Sequence, residues 1–69
     1  MPISARNHLK GKVTEIKLGD VVAQVKVKVG QNLIESVITR ESVEEMNLKK
    51  GDTVTAVIKA TEVMISKEG

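Results

Sequence analysis

The chain contains no cysteine, phenylalanine, tyrosine or tryptophan, and a single histidine. Without cysteine there is neither a disulfide framework nor a thiolate metal site. One imidazole, His8, cannot make a histidine cluster. Without aromatic rings the chain lacks the surfaces on which single-stranded nucleic acids usually stack their bases. The core has to be built from Val, Ile, Leu, Met and Ala. No apolar run approaches the length of a membrane span. Met1-Pro2-Ile3-Ser4 has neither a basic leader nor an apolar stretch behind it, so a cytoplasmic protein is expected. Charge of one sign is scarce too: 11 basic and 9 acidic residues leave +2, too little to argue for a nucleic-acid or membrane surface.

With 69 residues the chain is expected to be one domain, residues 1–69. A core of that size is marginal alone, and neither a disulfide nor a metal is on offer, so self-association is the natural source of further burial.

Between Lys10 and Lys17 the alternation is imperfect, and Gly11 suggests a bend or bulge. Gly19-Asp20 reads as a turn. From Val21 to Val29 apolar residues alternate with Gln24, Lys26 and Lys28, the pattern of a half-buried antiparallel strand. After Gly30-Gln31-Asn32, a third strand over Leu33 to Thr39 carries apolar side chains on both faces. That predicts a central strand or one at a subunit contact. The period then changes. Thr39 to Met46 reads as a short helix, with Thr39 as N-cap or, a turn later, a Ser42-x-x-Glu45 capping box. Val43 and Met46 are expected to face the core, and Asn47 to end the helix in the left-handed conformation. Thr53 to Lys59 and Thr61 to Ser66 read as fourth and fifth strands, and Met64 as a core residue. Three strands, a helix and two strands is the order of an OB-type barrel. The expected class is therefore all-β with one short helix: an oligomeric, OB-like, five-stranded antiparallel barrel.

Hydrogen-bond donors gather at the segment ends. Ser4-Ala5-Arg6-Asn7 places a hydroxyl, a guanidinium and a carboxamide in four residues and includes no carboxylate. Thr39 and Ser42 stand at the helix start, and Lys59 and Thr61 flank the last link. An all-donor set suits an oxyanion whose oxygens only accept. Each residue also has a plainer reading. The arm can be merely polar, Thr39 and Ser42 can merely cap, Lys59 can be a solvated strand end and Arg6 can pair with a surface acid. Catalysis has little support, with no nucleophile elbow, no Walker A loop and no paired carboxylates. His8 reads as a surface or interface residue.

Three blocks carry a resemblance: Ile3 to Gly11, Ser36 to Glu45, and Ala56 to Ile65. In them the chain resembles the molbindins, small molybdate-binding proteins of the Mop type, over nearly its whole length. The resemblance implies an OB-like barrel assembled as a trimer of dimers, a hexamer, with oxyanions held between subunits. It implies that Ser4, Arg6 and Lys59 donate side-chain hydrogen bonds, that Thr39 and Ser42 add hydroxyl or backbone donors, and that Ala5, Asn7, Ala60 and Thr61 lie around the anion. Related domains often carry Ser where Ala60 stands, so a donor there must come from Thr61 or the backbone. A second class of site near the symmetry axes is also implied, and no motif here places it. The ligand is molybdate or tungstate, with no cofactor, no metal bound other than as its oxyanion, and no nucleic-acid or membrane partner. The expected role is molybdenum storage and homeostasis. The alternative is an OB-fold module binding single-stranded nucleic acid. A third reading is a structural or regulatory oligomer for which the oxyanion is a signal.

Chemistry sets limits on the ligand. A fully ionised dianion presents only acceptors. Monohydrogen phosphate turns its own proton toward a donor, an unpaired contact costing on the order of 1–3 kcal/mol. Sulfate is also fully ionised, so its exclusion rests on cavity size.

Overall fold

The computed structural model describes residues 4–68. Met1, Pro2 and Ile3, the last of these part of the first matching block, lie outside that range, as does Gly69. Four strands form one antiparallel sheet in the order β3-β2-β1-β4: β1 is Asn7–Leu18, β2 Val22–Val29, β3 Asn32–Thr39 and β4 Thr53–Ile58. A short helix, α1, covers Arg40–Glu45, and a single 3-10 turn covers Ala60–Glu62.

The long first strand organises the sheet by changing partners halfway. Its first half pairs with β4, from Asn7 opposite Ile58 to Lys12 opposite Thr53. Its second half pairs with β2, from Lys12 opposite Lys28 to Leu18 opposite Ala23, with a register shift between Val13 and Glu15. The bend expected near Gly11 falls at this hand-over. A Cβ at Gly11 would run into the Lys28 carbonyl oxygen and would lie 2.9 Å from a Val29 methyl. Glycine is needed here for backbone approach rather than for an unusual φ.

The concave face holds the core. Val13, Ala23, Val25, Val27 and Val43 are buried, ringed by Ile16, Val29, Ile38, Leu48 and Val54. The inward residues of β2 are those its alternation predicts. The helix sits on this face through Val43. Thr39 caps it: the Ser42 amide donates to Thr39 Oγ1 at 3.0 Å, so the later capping box is not used. At the other end Asn47 has φ 51°, and the Asn47 and Leu48 amides donate to the Glu44 and Val43 carbonyls at 3.1 and 3.0 Å. That double bond pattern is the Schellman ending, and it swings Leu48 back onto the core.

Several expectations are corrected. Residues 63–68 form no strand, so among the described residues the sheet has four strands and no fifth to close a barrel. The physical reason is a missing neighbour: a strand needs an edge to bond to, and among the described residues nothing pairs with this segment. Met64 is 94% exposed and Ile65 89%, the opposite of core positions. Met46 is 58% exposed, because α1 ends one residue before it and only Val43 reaches the core. Val21 lies outside β2 and is exposed. The third strand is at a sheet edge, not central, and its outward Leu33 and Val37 are exposed.

The open side of the sheet is an apolar groove of about 470 Å³. Its walls come from both free edges, including Ile34 and Ile38 of β3 and Val54, Ala56 and Ile58 of β4. A compact 7.5 kDa monomer is expected to expose roughly 4,200 Å². This chain exposes 5775 Å², and the groove and the apolar C-terminal segment are part of the excess.

Candidate functional site

The first-half pairing of β1 decides where the donor blocks meet. Asn7 opens β1 and Ile58 closes β4, and the two residues stand opposite each other. The segment before Asn7 is Ser4-Ala5-Arg6, and the segment after Ile58 is Lys59-Ala60-Thr61. The last rung of this ladder therefore brings two distant blocks to one corner of the sheet. Asn7 Nδ2 fastens the corner by donating to the Ile58 carbonyl oxygen at 3.2 Å. Ala5 is buried, at 9% exposure, and anchors the arm, while Ser4, Arg6, Lys59, Ala60 and Thr61 are exposed.

The corner is cationic and rich in free donors. Among the described residues neither Arg6 nor Lys59 forms an ion pair; the pairs present join Glu15 to Lys17 and Lys26, and Glu44 to Arg40. The plainer reading of Arg6, a surface ion pair, is therefore not what the structure shows. The 3-10 turn uses the Glu62 and Val63 amides, which donate to the Lys59 and Ala60 carbonyls at 2.9 and 3.4 Å. The Ala60 and Thr61 amides have no acceptor among the described residues. Glu62 is the nearest carboxylate in sequence, and it lines the apolar groove.

Thr39 and Ser42 lie elsewhere. Thr39 is opposite Val22 at the start of β2, next to the end of β1 remote from Asn7. The two groups are separated by the length of β1, a path of roughly 36 Å for an extended strand of that size. Thr39 Oγ1 accepts from the Ser42 amide and donates to Ser42 Oγ at 2.8 Å. Both of its capacities serve the cap, and the hydroxyl proton still free is that of Ser42. The neighbourhood also holds Asp20, Glu41 and Glu44, together with Arg40. Arg40 donates to the Gly19 carbonyl oxygen and to Glu44. Within one chain, then, Ser4, Ala5, Arg6, Asn7, Lys59, Ala60 and Thr61 are brought together, and Thr39 and Ser42 are not.

One feature of the corner escaped the sequence reading. His8, read as a surface or interface residue, directs Nε2 back to the Ala5 carbonyl oxygen at 3.0 Å. No periodicity or motif signals a bond between a ring and a carbonyl three residues earlier. The described residues hold no cluster of three or more His, Cys, Asp or Glu able to bind a metal ion. No helix is long and apolar enough to cross a membrane.

Residues 3–65 match the TOBE domain family. The chain is 53% identical to molybdenum-pterin-binding protein 1 of Clostridium pasteurianum over 66 residues, covering 94% of this chain and 97% of that one. Among solved structures, a molybdate-binding protein from Sporomusa ovata superposes with a TM-score of 0.93 at 40% identity, covering 97% of this chain and 100% of that one. The cytoplasmic molybdate-binding protein ModG, solved with molybdate bound, superposes with a TM-score of 0.88 at 43% identity. It covers 93% of this chain, which spans 46% of ModG.

Proposed function

Since the chain belongs to the TOBE domain family, as a molbindin of the small Mop type, we propose that it binds molybdate as an intact oxyanion at subunit boundaries of a homo-oligomer. One observation carries the reading. The Asn7–Ile58 rung sets Ser4 and Arg6 beside Lys59, and neither cation is compensated by a carboxylate among the described residues. Two uncompensated charges, a serine hydroxyl and the unpaired amides of Ala60 and Thr61 form a cradle made of donors. A tetrahedral dianion supplies only acceptors and matches it.

Two structural features support the subunit boundary. Thr39 and Ser42 stand a strand length from the corner, so a cradle that includes them draws them from a second protomer. The open groove and the exposed Val63-Met64-Ile65 segment are apolar surfaces that assembly would bury. The assembly proposed is the hexamer, a trimer of dimers, working in the cytoplasm as a binder that stores and buffers molybdenum without catalysing a reaction. Tungstate, with the same shape and charge, fits the same cradle.

The nucleic-acid alternative finds no support in the corner: the nearest ring is the imidazole of His8, held by Ala5. Calorimetric titration with molybdate, tungstate, sulfate and phosphate tests the proposal. It predicts similar binding of the first two and much weaker binding of phosphate. Equal binding of phosphate would remove the all-donor cradle from the account.

A further inference from the structure

We infer that His8 is a positioning residue for the oxyanion cradle, fixing the Ala5–Arg6 peptide so that the Arg6 amide joins the donor set. The inference rests on the reading of the corner as an oxyanion site.

A carbonyl oxygen can only accept, so the 3.0 Å contact between His8 Nε2 and the Ala5 oxygen requires the proton on Nε2. The tautomer is thereby set. A trans peptide is planar, and its C=O and N–H point in opposite directions. No cis peptide is present among the described residues. Drawing the Ala5 oxygen toward His8 therefore turns the Arg6 N–H away from His8. That amide has no acceptor among the described residues. It stands one residue before the rung that joins Asn7 to Ile58, at the corner where the Lys59 turn leaves β4.

The two residues that open β1 thus hold the arm from both sides of the sheet. Asn7 is half-buried and bonds across to β4 through the Ile58 carbonyl. His8, on the opposite face by the strand's alternation, bonds back along the chain to Ala5. Asn7 fixes where the arm leaves the sheet. His8 fixes the rotation of the peptide beyond it. Arg6 then offers its amide together with its guanidinium. The charged groups nearest in sequence and register are Arg6, Lys10 on β1 and Lys59 after β4, all cations, so no carboxylate among them competes for the ring.

The test uses the full chain and molybdate titration, with melting temperature and native mass as controls for fold and assembly. His8→Leu keeps apolar bulk and removes the donor. His8→Gln restores an amide nitrogen the same number of bonds from Cα as Nε2 along the Cδ2 branch. His8→Leu is expected to weaken molybdate binding roughly three- to tenfold, the range of one hydrogen bond, with mass unchanged and a melting temperature lowered by no more than one such bond explains. His8→Gln is expected to recover most of the loss. Wild-type binding by His8→Leu overturns the inference, and so does a His8→Gln protein as weak as His8→Leu. A wild-type chain that binds no molybdate refutes the cradle itself, which is a distinguishable failure.

Discussion

Asn7 and Ile58 are joined twice, once as opposing residues on the last rung of the β1–β4 ladder and once through the 3.2 Å bond from Asn7 Nδ2 to the Ile58 carbonyl oxygen. The two residues are 51 positions apart in the chain, and both donor blocks hang from this pair. Asn7 is thus a fastener of the corner, and the bond uses one of the two N–H groups of its carboxamide. Asn7→Ala should cost about 1 kcal/mol of stability, the worth of one part-buried hydrogen bond. It should also weaken molybdate binding, although Ser4, Arg6 and Lys59 are untouched. Denaturant unfolding and titration of the same sample check both effects. Lost affinity with unchanged stability would instead make Asn7 a direct ligand.

Any side chain at Gly11 should destabilise the sheet. Its missing Cβ is what lets β1 pass against Lys28 at the hand-over from β4 to β2. Gly11→Ala forces the backbone apart at the centre of the sheet, an overpacking cost of roughly 1–3 kcal/mol. Thermal unfolding at fixed protein concentration measures it. Gly30, at φ 60° with open space around it, serves as a contrast, since Gly30→Ala is opposed by conformation rather than by collision.

Thr39 can be separated into its two suggested roles by one substitution. Aspartate is as good an N-cap as threonine and favours the positive end of a helix, whereas alanine loses about 1 kcal/mol there. Thr39→Asp should therefore melt near the wild type and Thr39→Ala below it. If Thr39 also stands against a bound oxyanion from a second protomer, the Asp variant should bind molybdate much more weakly than the Ala variant. Equal binding by the two would confine Thr39 to capping.

The C-terminal segment should govern assembly. Met64 and Ile65 are almost wholly exposed in the single chain, and an apolar groove stands open between the two free sheet edges. Ile65→Asp should shift the protein to smaller species in sedimentation and leave the circular dichroism of the sheet in place. An unchanged sedimentation coefficient would locate the assembly surface elsewhere.

Much of the fold was legible because it is local. The alternation of β2, the Thr39 cap and the left-handed Asn47 each follow from neighbouring residues, and each is where the pattern placed it. The misreadings share another cause. Thr61 to Ser66 carries the apolar run Val63-Met64-Ile65, which suits a strand, yet a strand exists only against an edge, and pattern cannot say whether one is within reach. Met64 was misassigned with it. Met46 was misread because helical spacing gives a direction but not the point at which a helix stops. The two apolar faces of β3 fitted either a central strand or a contact surface, and the sheet order removes the first. For the site, the donor types were visible in the sequence. Their grouping was not, because it depends on a rung between residues 7 and 58, and the His8–Ala5 bond left no pattern at all.

In the proposed assembly, donors from the arm and from the Lys59 turn grip one anion. Native mass spectrometry of the wild type, Arg6→Ala and Lys59→Ala, each with and without molybdate, reads assembly and bound anions together. The expected result is a homo-oligomer that carries molybdate in the wild type, and in both variants the same oligomer with little or none. A wild-type monomer free of anion, or variants that retain the full complement of molybdate, would contradict it.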